Sequence, residues 1–232
     1  MRIGDGSKFS FLIMVMTKNE KNRIVIWAVV NTLAIGILGL LMQTGGAYLV
    51  NAAVEYLGNG SASSAAAAAG QYSDYMAAIR SLEPRQIIQA IFVGPLLEEL
   101  VFRLIFLRAG KMILPFWAAN LIQAVLFGVY HTVTIQRVYG FVMGLLIGCV
   151  FHYCPLIYKE RRKSSSLQDL PNSLFGVAIT FVLHMIINAS GIYVAPLFPA
   201  DIALSSQVVI GCVCLGAAFG AAFVLYRQSL HK

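Results

Sequence analysis

Charge is scarce in this chain. Only 12% of its 232 residues are charged, and 10 of them are Asp or Glu. With 59% hydrophobic residues and a mean hydropathy of +0.76, that scarcity excludes an ordinary soluble domain and indicates an integral membrane protein. Other signals are missing too. Cys149, Cys154, Cys212 and Cys214 form no Cys-x-x-Cys pair and fall in or beside apolar runs, so buried thiols are expected and no redox compartment is indicated. There is no His-Glu-x-x-His metal motif, no internal repeat and no second soluble domain. The first long apolar run lacks a small-x-small cleavage site, which favours a retained signal anchor over a cleaved leader. The net charge of +7 lies in short runs beside apolar segments, as topology signals do, and nucleic acid is not expected as a partner.

What is present is a series of bilayer-length apolar segments. They can be drawn at about Ile24–Met42, Gln86–Leu107, Met112–His131, Val138–Tyr158, Leu174–Ile192 and Gln207–Tyr226. The expected fold is all-α, a polytopic membrane helical bundle of about six to eight transmembrane helices. Residues 1–83 read as an N-terminal anchor and linker region, and 84–232 as the helical core. Phe9–Met16 is too short to span and suits the interface. Ala47–Tyr56, also too short alone, could extend the first helix, re-enter the bilayer or pair as a hairpin. Gly58–Gly70 reads as a linker, Gln71–Ser81 as a weak amphipathic helix, and Ser164–Asn172 as a loop. Lys18/Lys21/Arg23, Arg108/Lys111, Lys159–Lys163 and Arg227/Lys232 fall on one side in this scheme, so both termini are expected in the cytoplasm, with the Lys159–Lys163 run also suited to anionic lipid.

Within this apolar background, a few polar residues need a reason. Glu98, Glu99 and Arg103 stand inside one span, at a cost of roughly 2.5–3.5 kcal/mol each on insertion scales. Glu99 and Arg103 are four apart and share a face, where they can pair, while Glu98 is turned about 100° away and left for another task. Phe127 and His131 are again four apart, as are His184 and Asn188. Hydrolysis of a peptide bond in an apolar cavity needs a base for water and donors for the oxyanion. Glu98 suits the first role, with His131 gripping the same water. His184 and Asn188, adjacent on one face, can both direct N–H groups at the carbonyl oxygen. His131, His184 and Glu98 would equally make a His₂Glu zinc set, so zinc stands as the alternative to a cofactor-free site. Cys149 and Ser190 have no spacing that ties them to a base.

The pattern Glu98-Glu99-x-x-x-Arg103, Phe127-x-x-x-His131, His184-x-x-x-Asn188 resembles the three motifs of the CaaX protease and bacteriocin-processing (CPBP, or Abi) family of intramembrane glutamic endopeptidases, over about residues 84–192. The resemblance implies glutamate-dependent, metal-free hydrolysis, with Glu98 and His131 on water, His184 and Asn188 on the oxyanion, and Glu99, Arg103 and Phe127 in support. It implies a short peptide or membrane-protein substrate, and in bacterial members peptide maturation, bacteriocin processing or self-immunity. The compact chain leans toward a prokaryotic membrane. A non-catalytic adaptor for a sensor kinase, transporter or toxin is the rival reading, and a small transporter a third.

Three expectations concern geometry. A straight, upright helix from Met112 would put His131 nearly 30 Å from its start, while Glu98 lies about 15 Å from its own helix end, so a delayed start at Pro115, tilt or a break before His131 is required. Gly140, Gly144 and Gly148 form a stripe suited to close helix packing or to clearing space for substrate. His152 has no partner at helical spacing and reads as structural.

Overall fold

The computed structural model describes residues 18–58, 81–158, 170–193 and 202–230, with isolated positions between 67 and 79. All regular structure among these residues is helical, as expected of apolar segments that must satisfy backbone hydrogen bonds internally. In chain order the elements are α1 (Lys18–Gly58), α2 (84–110), α3 (Phe116–Tyr130), α4 (Thr134–Tyr158), α5 (Leu170–Tyr193) and α6 (Leu204–Leu230). Ser173–Tyr193 and Leu204–Ala221 are each both long and apolar enough to cross a bilayer. The described positions from 70 to 79 are helical. Phe9–Met16, most of Gly58–Gly70, Lys159–Lys163, Ser164–Asp169 and the side chain of Cys154 lie outside the described residues.

The chain separates into two compact units, Met1–Ile37 and Leu38–Lys232. The first contributes the N-terminal part of α1, and the remaining features belong to the second. Helix α1 runs for 41 residues and extends beyond the span drawn at Ile24–Met42 on both sides. Of the three readings of Ala47–Tyr56, extension of the first helix is the one observed. Small residues let its second half be gripped closely. A Cβ at Gly45 would come within 2.9 Å of the Leu215 backbone nitrogen. Tyr139 Oη donates to Gln43 Oε1 at 2.6 Å and Gln207 Nε2 donates to Glu55 Oε2 at 2.8 Å, tying α4 and α6 to α1.

Helix α4 is central and packs on α3, α5 and α6. Its Met143, Leu146, Ile147, Val150 and Phe151 are buried. The glycine stripe lets α3 approach. A Cβ at Gly144 would sit 3.0 Å from Ala124 Cα, one at Gly140 would sit 3.0 Å from His131 Nδ1, and one at Gly148 would collide with Asn120 Oδ1. His152 packs beside α3: Lys111 Nζ lies 2.8 Å from its Nδ1 and Phe116 stacks on its ring at 4.1 Å. The cysteine reading needs correction, because Cys149 is buried but Cys212 faces outward from α6. An outward thiol in an apolar helix meets lipid, which is why composition could not separate it from a buried one. Ile113, Leu121, Val125, Val209 and Val213 are similarly exposed, a surface suited to acyl chains rather than water.

Candidate active site

The site is built on an irregular helix. Within α2, α-helical turns alternate with π-helical ones at Gln89–Val93 and Glu99–Leu107, on either side of Glu98. Pro95 supplies a local cause for the first. In the π turn the Gly94 amide donates to Gln89 O, and the next i→i+5 bond would run from residue 95 to Ala90 O. Proline has no N–H, so that carbonyl loses its donor. Asn188 Nδ2 takes the place, donating to Ala90 O at 2.9 Å. A proline three residues before Glu98 thereby fixes where α5 docks and how Asn188 is oriented.

The charges follow the helical spacing, and the fold then adds contacts that spacing cannot supply. Glu99 and Arg103 are wholly buried. Arg103 Nε lies 3.2 Å from Glu99 Oε2, close enough for an ion pair, yet neither atom is in hydrogen-bond geometry. Arg103 Nη1 instead donates to Gln123 Oε1 at 3.1 Å, and the guanidinium carbon stands 4.8 Å from the centre of the Phe127 ring. Glu98 keeps 17% side-chain exposure. His184 sits between the two carboxylates, with Nδ1 at 2.9 Å from Glu99 Oε1 and Nε2 at 3.6 Å from Glu98 Oε2. A carboxylate beside a buried guanidinium can only accept, so His184 Nδ1 carries a proton and Nε2 is the atom turned toward Glu98. Glu99 is therefore more than a partner for Arg103: it orients the imidazole.

His131 ends α3 rather than lying on it. Pro115 is the N-cap of α3, and His131 is its C-cap with φ −75° and ψ 141°. The delayed start and the break together reduce the depth mismatch, since 15 helical residues span only about 22 Å. His131 Nδ1 is 2.8 Å from Phe127 O, one of the carbonyls a helix end leaves without a partner. That carbonyl can only accept, so the ring donates from Nδ1 and leaves Nε2 with a lone pair in the neutral form. The ring is within electrostatic range of Glu98. Phe127 fills the space between the motifs, its ring centre 5.0 Å from that of His131 and 5.9 Å from that of His184.

The fold thus joins Glu98, Glu99, Arg103 and His184 by direct contact and brings His131 and Phe127 alongside. Asn188 is one turn beyond His184, hydrogen-bonded to α2. Four further residues escaped the sequence reading. Asn120 and Gln123 are buried polar residues in an apolar helix, and Thr180, four before His184, has its hydroxyl beside the Glu99 carboxylate. The argument that singled out Glu98 applies to these three as well. Tyr75 could not have been found this way. Burial pushes its phenol above the ordinary value, a hydrogen bond with Gln136 opposes that, and the nearby Glu98 charge adds to the rise. Tyr75 thus lies within electrostatic range of Glu98, outside the three motifs.

Among the described residues no group of three His, Cys, Asp or Glu has the geometry to hold a metal ion. The helices and the buried acid, imidazole and guanidinium side chains define an all-α membrane protein with a polar cluster between its helices. Residues 81–190 match the family model described as Rce1-like, type II CAAX prenyl endopeptidase. The match covers every motif position from Glu98 to Asn188, so this part of the chain is similar to CaaX-type intramembrane proteases. No curated protein and no solved structure gave a match.

Proposed function

We propose that the protein is a glutamate-dependent intramembrane endopeptidase that cleaves a short or membrane-associated peptide without a metal. The reading rests above all on His184 lying between Glu98 and Glu99, because a carboxylate–imidazole–carboxylate row inside an apolar bundle has no packing purpose that leucine would not serve better. Glu98 and His131 Nε2 accept the two hydrogens of one water, so that its oxygen lone pair faces the scissile carbonyl. Glu98 takes the proton as the C–O bond forms. His184, oriented through Nδ1 by Glu99, donates from Nε2 to the oxyanion, and Asn188 donates the Nδ2 hydrogen that Ala90 does not use. Collapse of the tetrahedral intermediate breaks the C–N bond, and Glu98 passes its proton to the leaving amine.

The substrates that fit this site are peptides able to enter from the membrane, with a prenylated CaaX peptide as the first probe and unmodified hydrophobic peptides of bacterial maturation or bacteriocin type as the second. With either probe, mass analysis should find a cut by the purified protein that persists in strong chelators. Asn188→Ala should lower kcat by roughly 10²–10³ with little change in KM. Chelator-sensitive turnover restored by Zn²⁺ would replace the metal-free mechanism with a zinc-bound water, and failure to cut any peptide would leave the adaptor reading in its place.

The proposed setting is a prokaryotic cell membrane, crossed several times, with both termini in the cytoplasm. Reporter fusions after Lys163 and after Lys232 should both signal cytoplasm. An outside signal at either point would mean an odd number of spans before it.

A further inference from the structure

A second polar string leads away from the carboxylates. Asn120 and Gln123, one turn apart on α3, are 0% and 1% exposed. Gln123 Nε2 donates to Asn120 Oδ1 at 2.8 Å and to Gly144 O at 2.9 Å. Asn120 Nδ2 donates to Leu145 O at 3.1 Å. With both amide hydrogens of Gln123 engaged, its Oε1 is the end turned to Arg103, whose Nη1 donates to it at 3.1 Å. Gly148 admits this arrangement, because any Cβ there would collide with Asn120 Oδ1. Two amides buried in an apolar helix carry a desolvation cost and need a compensating role.

The role follows from what the Arg103–Glu99 pair lacks. Its 3.2 Å contact has no hydrogen-bond geometry, so Coulomb attraction holds the charges together without fixing the plane of the guanidinium. The bond to Gln123 is directional and fixes it. We propose that Gln123, braced by Asn120 and the α4 carbonyls, is a positioning residue: it sets Arg103, Arg103 sets Glu99, and Glu99 holds His184 by Nδ1. The inference rests on the proposed hydrolysis, since its consequence for rate exists only if His184 acts on the substrate.

The test is Gln123→Met, which keeps the length and apolar bulk and deletes the amide. With a fluorogenic farnesylated CaaX peptide, kcat should fall between about 10- and 100-fold while KM stays within about twofold, as for a small displacement transmitted to reacting groups. A structural role alone would not produce that split. A second readout needs no substrate. In ¹⁵N-histidine-labelled protein, the downfield Nδ1 proton of His184, identified by its absence in His184→Gln, should broaden or move upfield in Gln123→Met. Wild-type kcat together with an unchanged resonance would overturn the inference. If Gln123→Met does not fold, Gln123→Asn, which retains an amide but is one methylene short of Arg103, should show the same loss, and wild-type kcat in it would be equally fatal. Glu98→Gln, measured alongside, separates the two readings: if it still cleaves, the proposed mechanism fails, whereas if it is inert and the Gln123 variants are fully active, only the positioning role fails.

Discussion

Glu98→Gln is expected to abolish peptide cleavage while leaving the protein inserted and folded. The amide matches the carboxylate in shape but cannot take a proton from water, and loss of a positioned general base is worth roughly 10²–10⁴ in kcat. The fold should tolerate the change, because Glu98 retains some exposure and its near contact is a 3.6 Å approach to His184 rather than a short hydrogen bond. His131→Ala should act in the same direction, since its Nε2 is proposed to share the same water. The measurement is mass analysis of a defined peptide incubated with each purified variant, alongside a thermal melt. Normal processing by Glu98→Gln would sink the assignment of the base.

Glu99→Ala and Arg103→Ala should behave differently from Glu98→Gln, losing stability along with activity. Both side chains are fully buried, and removing either leaves the other as an uncompensated charge, a change typically costing about 3–5 kcal/mol. Glu99→Ala also removes the acceptor from His184 Nδ1, so any protein that does fold should still turn over slowly. The double replacement Glu99→Leu with Arg103→Met separates the two effects. It removes both charges together and should recover much of the lost thermal stability without recovering activity. Recovery of cleavage in the double variant would show that the buried pair has no part in placing His184. Folded levels equal to wild type in Arg103→Ala would show that Glu99 finds another partner.

The parts of the site legible in the sequence are those set by helical period within one segment. Glu99 pairs with Arg103 because four residues make about one turn, and the same spacing puts Phe127 beside His131. Asn120, Gln123 and Thr180 were legible by the same physics, being polar residues in apolar helices, but only the fold gives them partners. Some adjustment in the depth of His131 was required, yet whether tilt, a late start or a chain break provides it depends on how α3 lies on α4. Tyr75 had no signal, since its neighbours Gln136 and Glu98 belong to other segments.

The sequence by itself determined that the chain is an all-helical membrane protein and that two carboxylates, a guanidinium, two imidazoles and an amide are its costly residues. These properties follow from local composition and from the 3.6-residue turn, both independent of the rest of the chain. Only the tertiary structure decided that α1 continues to Gly58, that the carbonyl freed by Pro95 is taken by Asn188, and that Glu99 orients His184 across 85 residues of sequence. Such contacts depend on which helix faces pack together, and that is set by glycine notches and shape complementarity along whole helices rather than by any short run of residues.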